Sequence, residues 1–304
     1  MRPRLLSPAV KLAIVLAALL NHADKSPAAR QETPRLVPQI GHPALVQFIS
    51  SSRDGKLLLT GGDDSTVRLW DVASGKLLRY LSGLPVGRFP CGLSTDGRYI
   101  MAEANDYSVR VWSSSSGLEL EPLRGHKTPI LSIASDPESR IVMAGSIDGT
   151  VLLWDLGTGR QLHRIEGEGV AHQITSTAFS PDGRFFAFGR SDRVAVVWDS
   201  NRHMKLRIYA HAGEVVALAF GPDGNSLLAG CDDGTVVVWN LATGEQVSSF
   251  KGPDSAIQSI VCTGKGNCLV CANKAGGWFV CDLAARRISR VSRCQDLDPQ
   301  YRSS

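Results

Sequence analysis

The sequence predicts an all-β fold built from repeats, and three features of the chain indicate it. Five tryptophans recur at intervals of 42, 42, 44 and 41 residues: Trp70, Trp112, Trp154, Trp198 and Trp239. Short apolar segments alternate with polar turns, most of which contain Asp and Gly, as expected of strands joined by tight turns. Beyond the N-terminal region, no window of eleven or more residues has the periodicity of a helix. A period of about 42 residues therefore indicates a repeat architecture.

Each repeat contains four short strands in the same order. A turn lies 17 residues before the Trp position in every unit, for example Pro222-Asp223-Gly224 before Trp239. Apolar strands flank this turn, a third strand ends at the Trp, and a fourth, more polar strand follows. One more step of 42 residues reaches Cys281, which gives a sixth unit. Since strands that are apolar on both faces require cover from neighbouring sheets, we predict a β-propeller with six blades of four antiparallel strands.

Particular residues of these units resemble those of the WD-repeat (Trp-Asp repeat) family of β-propellers. The matching dipeptides are Trp70-Asp71, Trp154-Asp155, Trp198-Asp199, Gly41-His42 and Gly125-His126. The resemblance extends from residue 34 to about residue 293. It implies a non-enzymatic scaffold that binds a protein or peptide partner through the loops at the rim of the propeller. The sequence names neither that partner nor the oligomeric state.

The resemblance also implies a structural hydrogen-bond network in each blade, formed by a His, a Ser or Thr, an Asp and the Trp. Blade 1 matches all four positions: His42, Thr60, Asp64 and Trp70. Blades 3 and 5 match three positions and have alanine instead of the hydroxyl residue: His126, Asp148 and Trp154, and His211, Asp233 and Trp239. Blades 2 and 4 match only the Asp and the Trp. Because buried indole and imidazole groups need hydrogen-bond partners, we interpret these sets as structural and not catalytic.

Blade 6 departs from this pattern, with Cys271 in the hydroxyl position and Cys281 in the Trp position. The resemblance places these two positions side by side on adjacent strands. A disulfide between them is therefore a hypothesis for an oxidising compartment. The interpretation that we favour is two buried free thiols in an apolar core.

The resemblance further implies that the residue before each turn Asp faces a binding partner. These candidate rim positions are Asp63, Asn105, Ile147, Ser191, Asp232 and Lys274. A second ring lies just ahead of the first strands, at Leu45, Gly87, Pro129, Gln173, Glu214 and Ala256. Arg88 and Phe89 are the nearest candidates for anchor residues of a binding hot spot.

Composition and motifs argue against several function classes. Four basic residues and one acidic residue within residues 1–26 account for +3 of the formal net charge of +4, so we expect no nucleic-acid partner. We find no phosphate-binding loop, no catalytic set and no metal-ligand spacing, and we predict no cofactor and no metal ion. The alternative is an enzyme or small-ligand-binding propeller with a site at the central channel.

The N-terminal region predicts the compartment. Residues 1–26 have a basic start followed by nine apolar residues at 12–20, too short for a membrane span, which needs about 20 residues. This pattern is typical of a signal peptide, so we expect an exported protein, periplasmic or secreted. The alternatives are an uncleaved interfacial anchor or a non-functional extension, and the alternative compartment is the cytoplasm. Residues 27–33 are a predicted linker, residues 34–293 the propeller and residues 294–304 a C-terminal tail.

Two segments compete to complete the ring. Residues 34–40 and residues 286–292 both align with the fourth strand of a blade, although blade 6 needs only one such strand. We prefer residues 34–40, so that the N-terminal strand closes the ring.

Overall fold

The computed structural model describes residues 41–87, 89–166, 172–252, 256–262, 268–273, 277–282 and 287–293. Within these ranges the chain forms 23 β-strands and no helix. The strands make six antiparallel sheets whose order follows the chain. The fold is therefore the predicted six-bladed β-propeller, and the prediction of its class is confirmed.

Blades 1 to 3 come from the N-terminal half of the chain. Blade 1 contains β1 (Val46–Ser51), β2 (Leu57–Gly62), β3 (Thr66–Asp71) and β4 (Leu77–Leu81). Blade 2 contains β5 (Cys91–Leu93), β6 (Tyr99–Glu103) and β7 (Val109–Ser113). Blade 3 contains β8 (Ile130–Ser135), β9 (Ile141–Ser146), β10 (Val151–Asp155) and β11 (Gln161–Ile165).

Blades 4 to 6 repeat the same order of strands. Blade 4 contains β12 (Ile174–Phe179), β13 (Phe185–Arg190), β14 (Val194–Asp199) and β15 (Met204–Ala210). Blade 5 contains β16 (Val215–Phe220), β17 (Ser226–Cys231), β18 (Thr235–Asn240) and β19 (Gln246–Lys251). Blade 6 contains β20 (Ile257–Cys262), β21 (Cys268–Asn273), β22 (Gly277–Asp282) and β23 (Arg287–Arg293).

The turn between the first and second strands of a blade follows from its Asp-Gly sequence. In blade 4, the Asp182 carboxylate accepts hydrogen bonds from the Ser180 hydroxyl at 2.6 Å and from the backbone N–H of Arg184 at 3.1 Å. Gly183 has a φ of +70°, which glycine adopts without steric cost. These contacts set the spacing of the two strands, and thus position the residues at their far ends.

The core lies between blades and not within a single blade. Each of five buried clusters joins residues of two consecutive blades. In the cluster between blades 1 and 2, for example, Leu59 and Leu69 pack with Ile100 and Trp112. This arrangement explains why the strands are apolar on both faces, because each sheet is covered by its neighbours.

Blade 2 is the irregular blade. Its ladder has three strands, and residues beyond β7 pair with it only through the isolated bridges Val109↔Leu123 and Trp112↔Glu119. Pro122 lies between these two bridges and cannot donate a backbone hydrogen bond. The fourth strand of this blade is therefore interrupted where the other blades keep a continuous one.

The C-terminal strand completes blade 6, so our preference for residues 34–40 in that position is wrong. β23 pairs along β22, from Gly277↔Arg293 to Asp282↔Arg287. The reason is local: β23 follows β22 directly along the chain, and closing a short loop costs less entropy than joining distant segments. The predicted N-terminal segments, residues 1–26, 27–33 and 34–40, and the tail at 294–304 lie outside the described residues.

Candidate binding face and blade networks

A cavity of about 320 Å³ lies where the first strands of the blades converge. All six blades contribute to its wall, among others through Phe48, Pro90, Ile130, Thr175, Val216 and Ile257. It is therefore the central channel of the propeller. Gln173, Glu214 and Asp232 also line it, which places three predicted rim residues around its mouth.

Backbone hydrogen bonds join the two predicted rings of rim residues in four blades. In each, the residue before the turn Asp donates its N–H to a second-ring carbonyl: Asp63 to Leu45 (2.8 Å), Ile147 to Pro129 (3.0 Å), Ser191 to Gln173 (3.0 Å) and Asp232 to Glu214 (2.9 Å). Blade 2 instead has a hydrogen bond from the N–H of Glu103 to the carbonyl of Pro90 at 3.0 Å. Asn105 of that blade is exposed.

The polar side chains at this face are mainly acidic or amide groups. The Asp63 carboxylate accepts a hydrogen bond from the amide of Gln47 at 2.8 Å. The Asp232 carboxylate accepts one from the backbone N–H of Glu214, also at 2.8 Å. The carboxylate of Asp63 is thereby oriented by a side chain of β1, and that of Asp232 by the loop before β16, so the rim is held in a defined geometry.

The structure tests only one of the two predicted anchors, and it does not describe one of the predicted rim residues. Arg88 and Lys274 lie outside the described residues. Phe89 is 1% exposed and packs in the cluster between blades 1 and 2, so its prediction as a surface anchor is wrong. An apolar ring beside Cys91 fills the seam between two blades more readily than it faces water.

Blade 1 brings its four network residues together. The imidazole of His42 lies 2.8 Å from the Thr60 hydroxyl through Nε2 and 2.9 Å from Asp64 through Nδ1. The indole N–H of Trp70 donates to the same Thr60 hydroxyl at 2.9 Å. Asp64 also accepts a hydrogen bond from Arg68 at 3.2 Å. One hydroxyl on β2 therefore links the His that precedes β1 with the Trp on β3.

Blade 3 lacks that hydroxyl and uses backbone acceptors. His126 Nε2 lies 3.3 Å from the carbonyl of Ala144, and the Trp154 indole donates to the carbonyl of Arg124 at 2.9 Å. Asp148 is not bonded to the His; it accepts hydrogen bonds from the Ser146 hydroxyl and the Thr150 N–H. The predicted residues are close together here, but they do not form one network.

In blade 5 the predicted hydrogen-bond network does not form among the described residues. Neither ring nitrogen of His211 has a hydrogen-bond partner among the described residues, and the indole N–H of Trp239 has none there either. The two rings instead meet edge to face, with centroids 5.6 Å apart. Asp233 bonds to Thr235 at 2.9 Å. His and Trp are packed together, but packing replaces the hydrogen bonds of blade 1.

Burial keeps these imidazoles neutral. It lowers the pKa of His126 to about 4 and the pKa of His211 to about 4, because the charged form loses its hydration. Burial alone would raise the pKa of Asp148, but the hydrogen bonds from Ser146 and Thr150 outweigh it and lower that pKa to about 2. Near neutral pH, His126 and His211 are therefore neutral and Asp148 is ionised.

The two cysteines of blade 6 are buried free thiols in the structure. Across the strands, Cys271 pairs with Phe279 and Cys281 with Leu269, so the cysteines are diagonal neighbours. A hydrogen bond to Cys281 and burial raise the pKa of the Cys271 thiol. A disulfide between them remains a hypothesis for an oxidising compartment.

Comparisons with known families follow the same division into repeats. The family model of the WD domain, G-beta repeat, matches residues 35–71 and 117–155. The family model of the Vps8 beta-propeller matches residues 176–297. The chain belongs to the WD-repeat β-propeller family. No curated protein matches this WD-repeat chain.

Propellers of these families serve in general as protein-interaction scaffolds and are typically non-enzymatic. For the WD-repeat propeller described here, the residues that the structure covers include no helix with the length and hydrophobicity to cross a membrane.

Two features of the WD-repeat propeller were not predicted from the sequence. Glu103 is 5% exposed and occupies the repeat position of Gly61, Gly145 and Gly189, so aligning the repeats at that position would have revealed it. The other is a cavity beside Trp198. The sequence signal for this cavity is the absence of a His at the repeat position of blade 4.

Proposed function

We propose that the chain is a protein-interaction scaffold that binds a protein or peptide at the mouth of the central channel. The observation that carries this proposal is the ring of hydrogen bonds from Asp63, Ile147, Ser191 and Asp232 to the loops beside them. A rim fixed in this way loses little conformational entropy on binding, which favours recognition of a partner.

The charge of this face supports a partner segment with hydrogen-bond donors. Asp63, Glu214 and Asp232 present carboxylates, and Gln173 and Gln258 present amides around the channel. Complementary charge contributes specificity and speeds association. The alternative function, a small-ligand site or enzyme at the channel, draws on the channel volume of about 320 Å³, which is near the lower end of ligand pockets at about 300 Å³.

The test is affinity capture from native extract with cross-linking and mass spectrometry. The variants Asp63→Lys and Asp232→Lys reverse charge at the rim. Glu138→Lys is the matched control, since the Glu138 side chain is 67% exposed in the turn between β8 and β9, at the opposite end of the blade.

We expect the wild type and Glu138→Lys to retain the same protein, and both rim variants to lose at least about 90% of it. Equal retention by all four chains would contradict the rim as the binding surface. A chain that captures no protein, but whose Tm rises with a metabolite in a manner sensitive to Asp232→Lys, would establish the channel-ligand alternative instead.

A further inference from the structure

Two histidines meet at the outer edge of the seam between blades 3 and 4. His163 lies on β11 of blade 3, and His203 lies in the turn between β14 and β15 of blade 4. Their ring centroids are 4.5 Å apart, with an angle of 37° between the ring planes. This turn is at the opposite end of blade 4 from the rim residue Ser191, so a role for the pair is independent of the proposed rim function.

His163 occupies a strand position from which other blades contact the next one. Arg79 of blade 1 and Arg207 of blade 4 have the same place in the fourth strand, opposite the residue before the Trp. Arg207 donates a hydrogen bond to the Ala242 carbonyl in the turn of blade 5 at 3.0 Å, and Arg79 donates one to the Ser115 carbonyl in the turn of blade 2. Between blades 3 and 4, an imidazole takes the place of the guanidinium.

His203 occupies a turn position that is glycine in four other blades. The fifth residue after the Trp has a φ between +67° and +82° in blades 1, 2, 3 and 5: Gly75, Gly117, Gly159 and Gly244. His203 has a φ of +52°, which is uncommon for a residue with a side chain. A Cβ added at Gly244 would lie 2.7 Å from Arg207, so this position faces the fourth strand of the preceding blade. The His203 imidazole is thereby directed at His163.

Two departures from the repeat thus meet at one seam and leave their ring nitrogens available. Neither His163 nor His203 has a hydrogen bond or an ion pair with another described residue. The neighbouring cation Arg202 lies 3.9 Å from the Asp199 carboxylate. A side chain held in an unfavourable backbone conformation indicates a functional role more than a stabilising one.

The distance between the two rings suits a metal ion with square-planar or tetragonal coordination. With metal–nitrogen bonds of about 2.0 Å, two imidazoles at a right angle around one ion have ring centres about 4.5 Å apart, whereas tetrahedral coordination separates them to about 5 Å. Square-planar or tetragonal coordination by nitrogen and oxygen is typical of Cu(II) and Ni(II), and Cu(II) binds more tightly. Since His203 is exposed, rotation about its χ2 angle can direct a nitrogen at an ion shared with His163.

We propose that His163 and His203 bind one Cu(II) ion, which bridges blades 3 and 4 on the outer wall of the propeller. Among the described residues, no group of three or more His, Cys, Asp or Glu is placed to hold a metal ion, so water fills the other coordination positions. Sequence spacing does not reveal this pair, because its two ligands belong to different blades. The expectation of no metal ion therefore does not extend to it.

The direct test is titration of the full chain with copper(II) sulfate in a non-coordinating buffer at pH 7.5, followed by calorimetry and electron paramagnetic resonance. We expect one saturable site per chain, with hyperfine splitting from two nitrogen ligands. Nickel(II) should bind at least tenfold more weakly, in accordance with the order of affinities of divalent ions.

His203→Gly is the most informative variant, because it removes one ligand and restores the glycine of the repeat. This variant should keep a Tm at least equal to that of the wild type and bind Cu(II) at least tenfold more weakly. His163→Arg restores the arginine of the repeat and should lose binding to the same extent. His172→Asn is the matched control, since His172 is also partly exposed but lies beside Asp192 at 3.4 Å, and its affinity should equal that of the wild type.

Three outcomes would overturn the proposal: no saturable copper binding, equal affinities of His203→Gly and the wild type, or a spectrum without two nitrogen ligands. An equal loss of binding in His172→Asn and in His203→Gly would also overturn it, because copper would then bind to surface histidines in general. The retained Tm of His203→Gly excludes unfolding as the cause of weaker binding.

Discussion

At the scale of single residues, one hydroxyl separates a bonded blade network from an unbonded one. Thr60 connects His42 with Trp70 in blade 1. Ala229 occupies the same repeat position in blade 5, where the side chains of His211 and Trp239 have no hydrogen-bond partners among the described residues. Blades 1 and 5 thus have the same His and Trp but differ in the hydrogen bonds that stabilise them, because a hydrogen bond depends on both partners being present.

This difference predicts unequal effects of two equivalent substitutions. His42→Ala removes hydrogen bonds to Thr60 and Asp64 from a side chain that is 3% exposed, and should destabilise the fold by about 2 kcal/mol more than packing loss alone. His211→Ala removes packing only. We expect His42→Ala to lower Tm further, by roughly 4–8 °C relative to His211→Ala, as measured by calorimetry. Equal decreases in Tm would show that the hydrogen bonds of His42 add no stability beyond its packing.

The residue types at these positions could be read from the sequence, but their acceptors could not. Spacing located His126 and Trp154 correctly in one blade. It gave no sign that Trp154 would donate to the Arg124 carbonyl, because every residue has such a carbonyl and only the backbone path decides which one is in reach. The unpartnered indole of Trp198 escaped prediction for the same reason.

At the scale of strands, the repeat predicted which segments pair but left the closing strand undecided. Residues 34–40 and the C-terminal strand carry equivalent patterns, and pattern alone cannot choose between them. β23 pairs along β22, and Ile288 packs with the cluster that contains Phe279 and Cys281. Proximity along the chain, which a repeat alignment does not weigh, favours the C-terminal strand.

The assignment predicts that deleting residues 287–304 strongly destabilises the propeller. Without β23, the strand β22 loses its outer partner and the cluster loses Ile288. We expect Tm to fall by about 10 °C or more, or the cooperative transition to disappear, in thermal unfolding followed by circular dichroism. Deletion of residues 34–40 is the comparison and should cost less. A larger decrease in Tm on deleting residues 34–40 would indicate that the N-terminal segment closes the ring.

At the scale of the whole ring, close approach between consecutive blades depends on one repeat position near the end of the second strand. A Cβ atom added at Gly145 would lie 2.2 Å from Ile174 of blade 4, and one added at Gly230 would lie 2.6 Å from Ile257 of blade 6. Gly61 and Gly189 occupy the same position and face the next blade equally closely. Two blades have no glycine here: blade 6 has Ala272, and blade 2 has Glu103 at the seam with blade 3.

Glu103 turns that seam into the pH-sensitive part of the ring. Its side chain accepts the backbone N–H of Ile130 at 2.7 Å, and the residue is 5% exposed. Burial raises the pKa of Glu103 from 4.5 to about 7, although the hydrogen bond from Ile130 opposes the shift. The folded chain therefore binds a proton that the unfolded chain releases between these two pH values, and stability must fall as pH rises through this window.

The charge of Glu103 is therefore expected to lower the free energy of unfolding by roughly 2–3 kcal/mol at pH 8 relative to pH 4.5. Glu103→Gln keeps an acceptor for Ile130 and removes the charge, so this variant should lose that part of the pH dependence and be more stable than the wild type at pH 8, but not at pH 5. Urea unfolding at pH 5, 6, 7 and 8 measures the difference. Glu138→Gln, at a side chain that is 67% exposed, should follow the wild type at every pH. If the free energy of unfolding of Glu103→Gln has the same pH dependence as that of the wild type, the carboxyl is ionised in the folded ring at neutral pH. The seam between blades 2 and 3 would then tolerate a buried charge.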